Sequence, residues 1–242
     1  HAAFEIVTPK GKTILIDPWL SNPANPKKSA VADLKKADYL VITHGHSDHV
    51  GDAVAIAKAT GAKLVANVEL GGNLVGLLGF PKAQATYETL SNPGGELRVD
   101  GGEIVFQLTP AVHSSGLDVG EGKPIAYGGN PTGIVIQIQD GPTIYHTGDT
   151  AYFSDMSLIG DEWAPDVALI NIGGHFGMEP KNAARAAAAV KARLVVPMHY
   201  KTFPLLTQSA DEFGKLLAAK KITMKAIAPG ATLTFVGHTL AK

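Results

Sequence analysis

The chain has 242 residues, 45% of them hydrophobic, so it can bury a sizeable core, and its formal net charge of −1 at pH 7 offers no basic field for gripping a nucleic-acid backbone. It contains no cysteine, which excludes disulfides and thiolate ligands and fits a cytoplasmic protein, and it has no run of about 18 apolar residues that would span a membrane. Neither nucleic acid nor membrane is expected as a partner; a small-molecule substrate is, and the composition does not speak to oligomeric state.

Residue 1 is His rather than Met and strand-like residues begin at Ala3, so the sequence reads as starting a few residues into a longer one, with no secretory leader. Residues 3–7 and 13–16 flank the turn signal Pro9-Lys10-Gly11-Lys12 and predict a hairpin. Asp17 closes it, where a carboxylate either accepts hydrogen bonds from a ligand loop or caps the following turn. Residues 21–26, rich in Asn and Pro, read as a loop at the same edge, and basic residues come only in short pairs such as Lys27-Lys28. The apolar run Tyr39-Leu40-Val41-Ile42 then leads directly into Thr43-His44-Gly45-His46-Ser47-Asp48-His49, with its three imidazoles and a carboxylate. Such groups are the ligands that borderline-soft divalent ions accept, and a tight loop at a strand end aims several at one point. A solvated turn needs only one such residue. Val50, Ala53, Val54 and Ala57 have helical spacing and predict a helix over 50–60 closed by Gly61, with Asp48 and His49 at its N-terminus. A glycine-interrupted helix without chemistry follows, before Phe80-Pro81.

Residues 96–99 and 103–108, separated by Asp100-Gly101-Gly102, predict a second hairpin that leads to His113. Between His113 and Ile134 the chain is mainly loop with at most one short strand, and residues 128–133 form a turn that lacks the lysine of a phosphate-binding loop. Strands are predicted over 134–139, 143–147, 167–171 and 194–198, with a helix over 181–192 started at Pro180. Ser209-Ala210-Asp211-Glu212 reads as a capping box for a last helix, and residues 232–236 as a closing strand. No linker divides the chain, so residues 1–242 are expected to form a single domain.

The later apolar runs also end in possible ligands: His113, Asp149 and His199. With His44, His46, Asp48 and His49 they make seven candidates, more than the four a single structural zinc needs, so two divalent ions sharing a bridging carboxylate fit better and point to hydrolysis. Zinc is the first choice, with manganese, iron and nickel chemically admissible. His146 reads as a core or supporting residue, because adjacent strand positions face opposite ways. His175, after Ile172-Gly173-Gly174, is either a substrate contact and proton carrier or a solvated loop residue, and His238 reads as a surface residue without a partner.

The cluster, the later lone His113, the Gly148-Asp149-Thr150 turn and the final His199 resemble the metallo-β-lactamase superfamily over almost the whole chain. Ile16-Asp17-Pro18-Trp19, the run Tyr145 to Thr150, Gly173-Gly174-His175-Phe176-Gly177-Met178 and Pro197-Met198-His199-Tyr200 look most like metal-dependent hydrolases related to ascorbate phosphate lactonase. The resemblance implies a four-layer αββα sandwich, with His44, His46 and His113 on one ion, Asp48, His49 and His199 on the other, and Asp149 bridging them. It also implies a metal-activated water as nucleophile, with Asp48 or Asp149 accepting a proton and His175 as a candidate general acid. His1 matches a histidine near the metal centre in such proteins, against the alternative of a tag remnant. The chain lacks the appended helical region of glyoxalase-type thioesterases and the basic arm of transfer-RNA-processing relatives, which leaves lactones or phosphate esters as the favoured substrates. The rival expectation is a metal-binding or sensing protein on the same fold without turnover.

Overall fold

The computed structural model describes residues 1–26 and 31–241, so the Lys27-Lys28 pair lies outside the described residues. The first sheet is built from β1 (Phe4–Val7), β2 (Thr13–Ile16), β3 (Tyr39–Val41), β4 (Lys63–Asn67) and β5 (Leu90–Ser91), in that spatial order. β1 and β2 form the expected antiparallel hairpin, and β2 to β5 run parallel. After β6 (Glu96–Val99) and β7 (Ile104–Pro110), the short pair β8 (Gly116–Leu117) and β9 (Ala126–Tyr127) interrupts the long loop. β10 (Thr132–Ile138), β11 (Thr143–His146), β12 (Val167–Asn171), β13 (Leu194–Met198) and β14 (Thr223–Met224) complete a second sheet in the order β14-β13-β12-β11-β10-β7-β6. Its half from β11 to β14 is parallel.

Alternation along the strands sorts side chains into separate layers. Ile14, Ile16, Tyr39, Val41 and Val65 from the first sheet pack against Phe106, Ile134, Ile136, Leu169 and Val196 from the second. The residues between them face outward: Leu15, Leu40 and Leu64 meet α2 (Ala53–Thr60) and α3 (Val68–Leu78) through Ile56, Leu70 and Leu74. Val135, Tyr145, Ala168 and Val195 meet α4 (Met156–Trp163), α5 (Pro180–Ala189) and α6 (Asp211–Ala219) through Ile159, Ala183 and Phe213. Helix, sheet, sheet, helix is the αββα sandwich. At about 1.5–3 kcal/mol per fully buried large apolar side chain, these three layers supply most of the driving force for folding.

Several local expectations change. The helix predicted over 50–60 is two pieces, the single turn α1 (Ser47–Val50) and then α2, broken at Gly51. Gly51 sits at φ +46, and a Cβ there would lie 2.6 Å from Trp19 Cα, so the backbone bends to let the Pro18-Trp19 turn pass. The capping box does not close: Ser209 Oγ accepts from Asp211 N at 3.1 Å, but the helix starts at Asp211 with Ala210 as its cap. The closing strand shrinks to Phe235–Val236 paired with Thr239–Leu240 outside the main sheets. α4 was not foreseen, and His238 has a partner, Asp166 Oδ2 at 2.7 Å. Among the described residues, no helix is long and apolar enough to cross a membrane.

Candidate metal centre

Parallel strands end at a common edge, and both sheets deliver their ligands there. β3 runs into the histidine loop, the turn after β11 carries Asp149, and His199 directly follows β13. The sheets are tied at this point by Thr132, whose backbone N and Oγ1 both donate to Thr43 O, at 3.0 and 2.9 Å. Seven ligand candidates and His1 converge in three overlapping groups: His44, His46 and His113; His1, Asp48, His49 and His199; and His44, His49 and Asp149. Within each group one donor atom per residue lies within 4.8 Å of the others.

Hydrogen bonds behind the rings set which nitrogen is left free. Asp17, at φ +44, accepts from Thr43 N at 2.9 Å, from Thr43 Oγ1 at 2.8 Å and from His49 Nδ1 at 2.7 Å. That leaves His49 Nε2 pointing into the cluster. Thr43 Oγ1, having donated to Asp17, accepts from His44 Nδ1 at 3.0 Å and frees His44 Nε2. Ser114 Oγ lies 3.2 Å from His46 Nε2. His44 Nε2 and His46 Nδ1 face each other at 2.9 Å. Gly173 makes room for the last ligand: a Cβ there would lie 2.3 Å from His199 O and 3.0 Å from its Nδ1.

The burial of these groups tests the fit to metal. His49 Nε2, His199 Nε2 and Asp149 Oδ1 are buried with no hydrogen-bond partner among the described residues. Each such group costs about 1–3 kcal/mol unless something else satisfies it. Asp149 Oδ2 lies 3.0 Å from His199 Nε2, 3.4 Å from His49 Nε2 and 3.8 Å from His113 Nε2. Close approach without hydrogen-bond alignment is the arrangement of donors that converge on a shared cation. The set is all nitrogen and oxygen, which suits zinc and its first-row neighbours.

The charges are coupled. Burial pushes the His49 pKa down, but the Asp149 and Asp17 carboxylates outweigh it and hold the ring well above its ordinary value. Asp149 is driven up by burial and further down by His49 and His199, ending well below the usual carboxylate range. Asp48 follows the same balance and sits at about 2. His44, by contrast, is pushed down by burial with His49 beside it. An open cleft of about 460 Å³, lined by Pro110, Val112, His113 and Asn130 among others, reaches the first group from outside.

All seven sequence-predicted ligands are thus brought together. His146 supports from behind, its Nε2 donating to Ala2 O at 2.9 Å and its Nδ1 accepting from Gly148 N at 3.0 Å. His1 belongs to the cluster: its Nε2 lies 2.8 Å from Asp48 Oδ2, and its backbone O accepts from His199 N at 3.0 Å. His175 is exposed, packs edge-on to Phe176 at 4.5 Å and belongs to none of the three groups. Thr43, Ser114 and Thr202, which bonds His1 Nδ1 at 2.9 Å, were missed. Adjacency to a ligand could have flagged the first two; nothing in the sequence marks Thr202.

The profile of a family described as beta-lactamase superfamily domain matches residues 12–200. A relative from Thermodesulfovibrio yellowstonii, named UPF0173 metal-dependent hydrolase, is 48% identical over 93% of this chain and 85% of its own length. Another of that name, from Staphylothermus marinus, is 40% identical over 97% of this chain and 96% of its own. Among solved structures, Igni18, a metallo hydrolase from Ignicoccus hospitalis, superposes with a TM-score of 0.82 at 38% identity, covering 97% of this chain and 95% of that one.

Proposed function

The chain belongs to the β-lactamase superfamily and, within it, to the UPF0173 metal-dependent hydrolases, and from that membership and the donor geometry we propose a two-ion centre that hydrolyses a small ester-type substrate. It is a metal-dependent hydrolase; the second ion, zinc as the metal, and a lactone or phosphate ester as substrate are this proposal. The observation that carries it is the position of Asp149 Oδ2, within 3.8 Å of His113 in one donor group and within 3.4 Å of His49 and His199 in the other. One carboxylate between two sets of imidazoles is the arrangement a bridge requires.

In this reading His44, His46 and His113 hold one ion, and Asp48, His49 and His199 the other. When bound, such ions supply an acidified water and a polarised carbonyl or phosphoryl oxygen. The chain's own contribution is placement. Asp17 and Thr43 fix two rings from behind, and His1 pins Asp48. Asp48 has 23% side-chain exposure against 3% for Asp149, so it is the more accessible of the two carboxylates offered as proton acceptors. No protein nucleophile is needed. His175, on its exposed loop, remains the candidate proton donor to a leaving group.

Zinc-loaded protein should hydrolyse at least one simple lactone, carboxylic ester or phosphodiester, chelation should abolish that turnover, and added zinc should restore it. Metal-loaded protein inert across such a panel would favour the binding or sensing role instead.

A further inference from the structure

His113 reaches the donor groups by a different route from the other candidates. β7 ends at Pro110, and His113 stands three residues further on, in a stretch without regular structure where neither a strand end nor a helix start sets its direction. Nor is its ring held from behind. His44 and His49 are fixed through Nδ1 by Thr43 and Asp17, whereas among the described residues no hydrogen bond reaches the His113 ring. Its aim therefore depends on the backbone on either side of it.

That backbone is pinned twice, each time by a buried hydroxyl. On the near side, Val112 N donates to Thr150 Oγ1 at 2.9 Å and Ala151 N donates to Val112 O at 3.0 Å, which ties the residue before His113 to the turn that carries Asp149. On the far side, Ser115 Oγ accepts from Gly45 N at 3.0 Å and donates to Gly128 O at 2.9 Å, while Gly128 N donates to Ser115 O at 2.7 Å. Gly45 lies between His44 and His46, so the Ser115 hydroxyl joins the turn that carries two donors to the segment that carries the third. The backbones close around it: a Cβ on Gly128 would lie 2.6 Å from Ser115 O and 3.2 Å from Gly45 Cα, and one on Gly45 would lie 3.3 Å from Gly116 C. Both hydroxyls are used in both senses, since Thr150 Oγ1 also donates to Ala151 O at 2.8 Å. Removing them deprives Gly45 N and Val112 N of the partners that fix the spacing.

We propose that Ser115 and Thr150 are the positioning residues of His113: their hydroxyls clamp the segment on either side of it and set its distance from His44 and His46. The clamp replaces the hydrogen bond that the His113 ring lacks, and through Thr150 it couples that ring to the Asp149 turn. It rests on the reading above in which His113 is a metal ligand. Groups that orient a ligand without touching the ion typically change metal affinity about 10–100-fold when removed, so the effect is large enough to measure without any substrate.

Zinc affinity by chelator competition, with zinc content by elemental analysis, is measured for the wild type, Ser115→Ala, Thr150→Val, Thr150→Ser and His113→Ala, and for His113→Ala combined with each of the first two. Ser115→Ala and Thr150→Val should each weaken the binding of at least one ion by about ten-fold or more, while Thr150→Ser, which keeps the hydroxyl, should stay within about two-fold of the wild type. In the His113→Ala background the same two substitutions should change affinity by less than about two-fold, because they act only through the ring that is gone. A loss that persists undiminished in that background would make the hydroxyls general supports of the fold and overturn the proposal. Wild-type affinity in Ser115→Ala and Thr150→Val, with His113→Ala impaired, would also overturn it and leave the ligand reading standing. Unchanged zinc binding in His113→Ala would reject that reading and the proposal together. Should Ser115→Ala fail to fold, the Thr150 variants decide the question by the same comparison.

Discussion

Asp17 accepts three hydrogen bonds and orders both Thr43 and His49, so Asp17→Asn should weaken zinc binding about 10–100-fold while the fold survives. Chelator competition measures this, and unchanged affinity would remove Asp17 from the support of the site. Asp149→Asn keeps the size but loses the charge that offsets two dications, so elemental analysis should find at least one ion gone; His146→Gln, which disturbs contacts to Ala2, Gly148 and Phe4, should retain both. The reverse pattern would exchange their roles. The neighbouring carboxylates raise the pKa values of His49 and His199 and so favour their protonated forms, yet both rings must be unprotonated to bind metal. Zinc binding at pH 7 should therefore release at least one proton per chain and tighten as pH rises, visible as a buffer-dependent calorimetric enthalpy; no release would contradict the raised values. The candidate donors that the structure groups were legible in the sequence because they follow apolar runs. His1 was not, since nothing in the sequence around residue 1 shows that its ring lies 2.8 Å from Asp48.

Elements built on buried apolar runs were equally legible: β12 and β13 lie at the predicted residues, β10 starts two residues early at Thr132, and the proline-started α5 ends at Ala189, three residues short of the predicted end. The break at Gly51 was hidden because Val50, Ala53 and Ala57 keep helical spacing straight through it, and the cause is a contact with Trp19 more than 30 residues earlier in the chain. Gly51→Ala should therefore cost about 1–3 kcal/mol or more, from its positive φ and the clash with Trp19 Cα. Gly72→Ala on the exposed face of α3, where nothing lies within 4 Å, should instead stabilise by about 0.5–1 kcal/mol. Urea unfolding of the two variants checks the pair, and equal effects would refute the packing explanation. The capping box failed for a related reason: Ser209 bonds Asp211 N as part of a turn, a competition that local sequence does not reveal.

Across the whole molecule, the sandwich makes a rigid frame whose two sheets meet at the ligand edge through Thr43 and Thr132, so the donors are held in place by cores on both sides. Such a frame tolerates the strain of clustered, unsatisfied polar atoms and is expected to gain stability when cations enter. The elements hidden from the sequence, α4 and the short strand Thr239–Leu240, carry none of the candidate donors, so the reading of the site was unaffected. The central claim is that two ions act together around Asp149. Its most direct test is a zinc titration of fully chelated protein, with bound metal and ester hydrolysis measured at each step. The account predicts that binding saturates near two ions per chain and that turnover reaches its plateau only as the second site fills. Saturation at one ion, or full turnover with one, would contradict it.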